Sequence, residues 1–282
     1  MKTSNHLLRR LTAALLAAVL ALSIALPVFA SDDGDTIYIN SVSDLLSLAR
    51  NCAYDQWSVG KTVILQKDLS LEGMLWEPIP SFSGQFKGNG HTISDLTITG
   101  QYSPAGLFGI VEEQGSIESL SVRGVVSVSD SADTTTGGIA GINHGTLISC
   151  QFTGVVTGDS EVGGIVGRNE SEGTIDHSTA RAIVTGKSST GGIAGYNLGA
   201  ITGCTNVGSI NTEYPEASLD TDGFTAKMVD YINNKMAAAD DDATNSVTNV
   251  ATDTGGIAGR SSGMILTSVN TGTIGYEHVG YN

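Results

Sequence analysis

From residue 137 onward, apolar residues come in short patches that polar, turn-forming residues separate. The patches are rich in Ile and Val, while Gly, Asn, Ser, Thr and Asp fill the intervals. Three patches recur in order. The first is Ile139-Ala140, repeated as Ile165-Val166, Ile193-Ala194 and Ile257-Ala258, and the second centres on Leu147, Ile175, Ile201 and Ile265. The third ends on Val156, Val184, Ile210 and Ile274. Short β-branched runs bounded by turn residues are typical of strands, and none of these runs is long enough for a helix.

The patches belong to a sequence repeat that occurs four times. GGIAGINHGTLISC returns as GGIVGRNESEGTIDHS, GGIAGYNLGAITGC and GGIAGRSSGMILTS, with the second Gly at 138, 164, 192 and 256. The spacings of 26, 28 and 64 indicate a unit of about 26 residues and one long insertion. A weaker copy surrounds Gly106. We therefore predict an all-β fold, a parallel β-helix solenoid with three strands per coil and right-handed winding.

Polar and small residues recur at fixed positions of the repeat. Coils stacked about 4.8 Å apart would turn these places into columns. We expect two structural ladders rather than ligand sites, one of Asn143, Asn169 and Asn197 and one of Cys150, Ser178, Cys204 and Ser268. A further column, Gly154, Ala182, Gly208 and Gly272, predicts close approach of another wall.

The cysteines are predicted to be free. Cys150 and Cys204 lie two coils apart, so about 9–10 Å should separate their Cα atoms. A disulfide needs less than about 7 Å. Cys52 lies far away near the N-terminus. We expect buried thiols that alternate with Ser.

The rest of the chain divides into recognisable segments. Basic residues, an apolar run and Val28-Phe29-Ala30 predict a signal peptide over 1–30, cleaved near Ala30, with an uncleaved membrane anchor as the alternative. An N-terminal capping helix is expected after Ser41 or Ser43. The predicted segments after the signal peptide are cap and first coils at 31–100, β-helix repeats at 101–211, an insertion at 212–253, and a further coil, incomplete at its end, at 254–282.

One amphipathic helix is predicted inside the 212–253 insertion. Apolar residues recur there four positions apart between acidic flanks, and they are Phe224, Met228, Ile232 and Met236. These four residues are the candidate contact with a protein partner, because an excursion from a solenoid carries specific function more readily than its core. A loop insertion that the fold merely tolerates is the alternative.

The net charge narrows the classes of partner. The full chain has 14 basic and 29 acidic residues. Because the predicted signal peptide contains three basic residues and no acidic ones, the remaining chain has 11 basic residues and a net charge of −18. Such a surface repels nucleic acid and anionic membrane, so we predict neither as a partner. No Asp-x-Asp-x-Asp-Gly calcium loop is present, and we predict no cofactor, no metal site and no obligate oligomer.

GGIAGINHGTLISCQFTGVVTG and GGIAGYNLGAITGCTNVGSI resemble the GLUG repeat of bacterial exported proteins. FSGQFKGNGHTISDLTITG is similar to the β-helical region ahead of the immunoglobulin A1 metalloproteases. The resemblance implies a secreted or wall-associated protein, with adhesion among the known roles. None of the five histidines begins a His-Glu-x-x-His motif, so protease activity does not carry over; they are His6, His91, His144, His177 and His278.

Three functions stay open, and we expect a protein that is not an enzyme. The first is a non-catalytic stalk, scaffold or adhesin whose ligand is a host protein or a glycan. The second is a carbohydrate-active lyase or hydrolase, which needs two carboxylates on one wall. Its candidate residues are Asp176, His177 and Glu118, with Arg123 and Arg181 on a neighbouring wall. The third is a host-protein binding module that uses the 212–253 insertion.

Overall fold

The structure is a computed structural model that describes residues 35–54, 56–128, 134–212 and 252–275. All described strands belong to the compact unit that begins at Thr36. Three predicted features lie outside the described residues: the signal peptide of 1–30, the end of the chain after residue 275, and the insertion helix with Phe224, Met228, Ile232 and Met236.

The described residues form one helix, α1 (Val42–Asn51), and short strands. The strands before the repeats are β1 Thr36–Ile39, β2 Thr62–Leu65, β3 Leu69–Ser70, β4 Ile79–Phe82, β5 Gln85–Lys87, β6 Thr92–Gly100, β7 Phe108–Val111, β8 Ser116–Glu118 and β9 Ser121–Val128. The repeats contain β10 Thr136–Gly137, β11 Ala140–Asn143, β12 Thr146–Ile148, β13 Gln151–Thr157, β14 Val162–Gly163, β15 Val166–Asn169, β16 Thr174–Asp176, β17 Thr179–Thr185, β18 Ser188–Gly191, β19 Ala194–Asn197, β20 Ala200–Thr202, β21 Thr205–Asn206 and β22 Ser209–Ile210. After the insertion come β23 Thr252–Gly255, β24 Ala258–Ser261, β25 Met264–Leu266 and β26 Val269–Asn270.

The strands form four parallel sheets. Sheet I contains β1, β2, β5, β8, β12, β16, β20 and β25, sheet II β3, β6, β9, β13, β17, β21, β22 and β26, sheet III β4, β7, β11, β15, β19 and β24, and sheet IV β10, β14, β18 and β23. From β10 onward the chain passes through sheets IV, III, I and II before it enters the next coil. The unit that begins at Thr36 is a parallel β-solenoid of about six turns, which confirms the predicted all-β, parallel fold class.

Equivalent residues of the repeat lie over one another in successive coils. The N–H of Ile139 donates to the carbonyl of Ile165 over 2.9 Å, and the N–H of Ile165 donates to the carbonyl of Ile193 over 3.0 Å. All three isoleucines are buried. Ala140 pairs in parallel register with Val166. The apolar patches of successive coils are thus aligned in columns. Stacking the coils removes from water an apolar face that a single coil would expose.

Each coil from Thr136 onward contributes strands to four sheets, whereas the prediction was three strands per coil. The additional strand lies in sheet IV, where β10 consists of Thr136 and Gly137 alone. A strand of one threonine and one glycine has no apolar run, so the hydrophobic pattern did not reveal it. The handedness of the winding stays a prediction.

Aromatic rings fill the coils near the N-terminus. Phe82, Phe86 and Phe108 are fully buried, with ring centroids 5.3–6.3 Å apart. Trp76 is also buried, and its Nε1–H donates to the carbonyl of Leu107 over 3.2 Å. Offset and edge-on ring contacts of this kind add to the stabilisation from buried area.

Helix α1 begins at a well-formed N-cap. Ser41 Oγ accepts a hydrogen bond from the N–H of Asp44 over 3.2 Å, which satisfies one of the free donors of the first turn. Leu45 and Leu48 are buried on one face of the helix. The helix lies against β1 and β4, the end strands of sheets I and III.

The last described coil leaves its apolar side chains exposed. Ile265 is 39% exposed, whereas its register partner Ile201 is buried. Among the described strands, β25 has a neighbour on one side only. Within the described ranges, no further coil covers Ile265, whereas the next coil covers each equivalent residue before it.

Candidate functional site

The predicted asparagine column is a continuous chain of side-chain hydrogen bonds. Asn143 Nδ2 donates to Asn169 Oδ1 over 2.7 Å, and Asn169 Nδ2 donates to Asn197 Oδ1 over 2.8 Å. Asn197 Nδ2 then donates to Ser261 Oγ over 3.1 Å. The three amides are fully buried, and each also donates to a backbone carbonyl of its own coil.

The column starts abruptly at its N-terminal end. Asn143 Oδ1 is buried without a hydrogen-bond partner in the described part of the chain. The residue that pairs with Asn143 in the preceding coil is Val111, which offers no donor on its side chain. The unsatisfied oxygen therefore marks the place where the aromatic interior gives way to the amide column.

The Cys/Ser column links side chains to the backbone of the neighbouring coil. The N–H of Cys150 donates to Ser178 Oγ, and the N–H of Cys204 donates to Ser268 Oγ, both over 3.1 Å. Cys52, Cys150 and Cys204 are free and buried. Ser178 lies between the two column cysteines.

The thiols are held in the protonated form. Burial raises the pKa of Cys150 to about 12 and the pKa of Cys204 to about 11. Burial also raises the pKa of Cys52 to about 11. Since the thiolate is the reactive species, none of the three is prepared to act as a nucleophile or metal ligand at neutral pH.

A second amide pair was absent from the sequence-based prediction. Asn206 Nδ2 donates to Asn270 Oδ1 over 2.7 Å, and Asn206 Oδ1 accepts from the N–H of Gly208 over 3.1 Å. Earlier coils place Phe152 and Ala180 in the same column. The phrases TN and VN at equal distances after Cys204 and Ser268 were the available signal.

The candidate catalytic residues do not form one cluster. Glu118 and Asp176 share a column on the outer face of sheet I, but Ile148 stands between them. His177 Nδ1 lies 2.8 Å from Asp176 Oδ1, and its side chain is 68% exposed.

The two candidate arginines lie elsewhere. Arg123 and Arg181 share a column of sheet II with Thr153 between them. The carboxylates and the arginines therefore belong to different walls.

A polar groove of about 420 Å³ lies at the N-terminal end of sheet II. Its lining residues are Asp68, Leu69, Ser70, Thr92, Ser94 and Arg123. A hydrogen bond from the N–H of Thr92, and then one from His91, hold the pKa of Asp68 below its usual value. The groove thus presents an ionised acceptor beside hydroxyl groups.

A neighbouring carboxylate organises the floor of the groove. Asp95 stands at a bulge of β6 with φ of 60°. Its Oδ2 accepts hydrogen bonds from Ser70 Oγ over 2.6 Å and from Ser94 Oγ over 2.8 Å. The hydroxyls are therefore oriented before any ligand arrives, and none of the described residues that line the groove is aromatic.

A charged cluster occupies the outer face of sheet III. Arg168 binds Glu161 through Nη1 and Glu170 through Nε, each over 2.7 Å. The ring of Tyr196 lies between Arg168 and Arg260, whose guanidinium carbons are 5.0 and 5.4 Å from its centroid. The ion pairs and the cation–π contacts occupy these side chains with one another and link three successive coils.

Across the four described ranges, no three His, Cys, Asp or Glu side chains are grouped closely enough to hold a metal ion. In the same ranges, no helical segment has the length and apolar character that a membrane crossing requires.

Comparison with known proteins identifies the motif. Residues 158–185 match the family model described as the GLUG motif, which confirms the resemblance seen in the sequence. The match covers one complete coil, β14 to β17. The fold and the motif together define a GLUG-containing parallel β-solenoid.

Two relatives are similar in sequence to parts of the chain. Halomucin of Haloquadratum walsbyi is 31% identical over 155 residues, which are 50% of this chain and 2% of that protein. A protein of Evansella cellulosilytica named "Putative Gly-rich membrane protein" is 29% identical over 137 residues, which are 35% of this chain and 16% of that protein. The chain thus spans a small part of the length of both relatives.

One solved structure is also similar. It is the "Crystal structure of a putative immunoglobulin A1 protease from Bacteroides ovatus", with 15% identity and a TM-score of 0.41. The similarity covers 62% of this chain and 67% of that chain.

Proposed function

We propose that this chain is a non-catalytic β-solenoid of the cell surface or the secreted fraction, and that it serves as a scaffold, stalk or adhesion module. One observation carries the proposal: the polar side chains of the interior bind the next coil and are therefore occupied with holding the stack together. The names of the relatives, a halomucin and a Gly-rich membrane protein, agree with a surface location.

The structural roles follow from the same contacts. The Asn and Cys/Ser columns act as ladders that fix the register between coils, because each rung pairs with a polar group of its neighbour. Helix α1 serves as the N-terminal cap, since it covers end strands whose edges would otherwise invite pairing with another chain. Removal of residues 1–30 on export would leave an acidic protein that repels anionic membranes.

Exposure to polysaccharides tests the absence of catalysis. Residues 31–282 would be incubated with neutral and uronic-acid polysaccharides, and reducing ends and unsaturated products would be measured. We expect no product above that of a heat-denatured sample. Cleavage that disappears in Asp176→Asn or Glu118→Gln would contradict the proposal and establish an enzyme.

A glycan-binding role for the groove is a second candidate, because Asp68 and the Asp95-oriented hydroxyls form a preorganised set of hydrogen-bonding groups. Neutral or cationic glycans would suit it. On a glycan array we expect signal that falls in Asp68→Asn and Arg123→Ala. Arg181→Ala is the matched control, since it removes the same side chain from the same column outside the groove. Equal signal in all variants would eliminate the groove as the site.

A further inference from the structure

The polar groove of sheet II lies where strand β6 bulges. Between two regular pairs, β6 has two residues, Ser94 and Asp95, where β9 has Arg123 alone. Bulges of this kind re-aim side chains and recur beside binding sites. The groove volume of about 420 Å³ also falls within the range of small-ligand sites, about 300–1,000 Å³. The hydrogen-bonding groups of the lining therefore indicate which ligand the groove would take.

The serine hydroxyl protons of the groove are already committed. Ser70 Oγ donates to Asp95 Oδ2 over 2.6 Å, and Ser94 Oγ donates to the same oxygen over 2.8 Å. A hydroxyl has one proton and two acceptor lone pairs. Ser70 and Ser94 therefore present lone pairs to a ligand, and the ligand must supply the protons.

Asp68 adds a charged acceptor to this side of the groove. Its Oδ1 accepts from the N–H of Thr92 over 2.9 Å and lies 3.1 Å from His91 Nδ1. Among the described residues, no donor reaches its Oδ2. The contacts at Oδ1 hold the pKa of Asp68 below its usual value, so the carboxylate is ionised at neutral pH. A cationic donor would form the stronger, charge-assisted hydrogen bond with it.

Arg123 gives the lining the opposite requirement. A guanidinium has five N–H donors and no acceptor, so a ligand beside Arg123 must offer oxygen atoms. An amino sugar has both kinds of group, an ammonium and several hydroxyl or ring oxygens. A lysine side chain has an ammonium on an apolar stem and no acceptor, and Leu69 is the one apolar residue among the described residues of the lining. The lining therefore favours an amino sugar over a lysine.

We propose that the groove binds a glycan through an unacetylated amino sugar, with the ammonium beside Asp68 and the sugar oxygens beside Arg123. The inference rests on the glycan-binding role proposed for the groove and narrows it to one class of glycan. N-acetylation would remove the charge that Asp68 recognises. A uronic acid would bring a carboxylate toward Asp68 and be repelled.

Matched oligosaccharides test the preference. Residues 31–282 would be titrated in a calorimeter with β-1,4-linked oligomers of glucosamine, N-acetylglucosamine and glucose of equal length. The pH would lie slightly below neutral, where the amines are largely protonated and Asp68 is ionised. We expect the glucosamine oligomer to bind about fivefold more tightly than the other two, a modest factor because water screens an exposed ion pair. Asp68→Asn should abolish this advantage and change the affinity for the glucose oligomer little.

Asp176→Asn is the matched control. Asp176 also has a histidine beside it, since His177 Nδ1 lies 2.8 Å from its Oδ1, but it belongs to sheet I and lies outside the groove. The variant removes the same single charge from the acidic chain, and it should keep the full preference for glucosamine. If Asp68→Asn and Asp176→Asn weaken glucosamine binding equally, the net charge attracts the amine and the inference is wrong.

The remaining outcomes separate this inference from the proposal beneath it. Oligosaccharides that bind equally well, and lose affinity in Arg123→Ala, would leave the groove a glycan site and refute the preference for amines. Tighter binding of a lysine oligomer of equal charge would also refute the amino sugar, because it would show a site for a basic peptide. If none of the three oligosaccharides binds, the groove is not a glycan site and both proposals for it fail.

Discussion

The N-terminal coils and the repeat coils fill the same kind of interior in different ways. Between residues 36 and 128, the rings of Phe82, Phe86 and Phe108 pack against one another. Between residues 134 and 212, opposite walls come so close that a Cβ on Gly138 would lie 2.2 Å from the ring of Phe152. The packing of the first region depends on large interior side chains. The packing of the second region depends on the absence of a side chain where two walls come close together.

This difference determines which substitutions each region tolerates. Removing volume should damage the aromatic coils, because the cavity that forms cannot collapse between fixed strands. Adding volume should damage the repeat coils, where backbone of one coil touches backbone of the next. The amide column adds a third kind of sensitivity, since its loss leaves buried polar groups unpaired.

Phe108→Ala should have the largest effect. Its ring is fully buried and contacts both Phe82 and Phe86, so we expect a loss of about 3–5 kcal/mol in the free energy of unfolding, measured by urea denaturation. Tyr54→Ala is the control, because Tyr54 is 73% exposed; its cost should stay within about 0.5 kcal/mol. Similar losses for the two variants would refute the aromatic packing.

Gly154→Ala should come next, at about 3 kcal/mol. Its φ is +152°, and a Cβ there would lie 1.9 Å from the carbonyl oxygen of Gly124. Gly73→Ala separates strain from crowding, since Gly73 also has positive φ but nothing lies within 4 Å; we expect about 1 kcal/mol there. Equal costs would show that the coils are not in close contact at Gly154.

Asn169→Ala should destabilise the chain by about 2 kcal/mol, because Asn143 and Asn197 would each lose a buried partner. Asn197→Ser is a milder control, since Ser261 already accepts a rung of the same column. We expect it to cost about half as much in urea denaturation. A neutral Asn169→Ala would mean that the amide column does not act as a ladder.

Cys150→Ser should have the smallest effect at neutral pH, within about 1 kcal/mol, because Ser178 occupies the same column. The pKa of Cys150 rises from 9.0 to about 12 on folding. The folded state therefore favours the neutral thiol, a contribution that is complete below pH 9 and is lost as the pH rises toward 12. Wild-type stability should fall more steeply than that of Cys150→Ser across this range, and parallel curves would contradict the burial.

The sequence was sufficient to predict the stack, because equivalent residues recur at nearly constant spacing. Ile139, Ile165 and Ile193 could be aligned by inspection, and the structure places them in file. Sheet IV was missed because Thr136 and Gly137 have no hydrophobic signal. The Asn206–Asn270 pair was missed because Phe152 interrupts its column in an earlier coil.

Contacts between walls and between coils were harder to predict. The small-residue column at Gly154 was expected to receive another wall, but the carbonyl of Gly124 in the neighbouring coil is what approaches it. The wall that does press in meets Gly138, through Phe152. A repeat pattern shows which residues are equivalent, whereas the width of the coil depends on how its corners turn, which the pattern does not encode.

Equivalent residues of successive coils lie directly over one another, and NMR of residues 31–282 with labelled isoleucine methyl groups measures this arrangement directly. Adjacent coils are about 4.8 Å apart and alternate coils about twice that. We predict nuclear Overhauser contacts between Ile139 and Ile165 and between Ile165 and Ile193, with none directly between Ile139 and Ile193. A contact that skips Ile165, or the absence of both neighbouring contacts, would contradict the stacked solenoid.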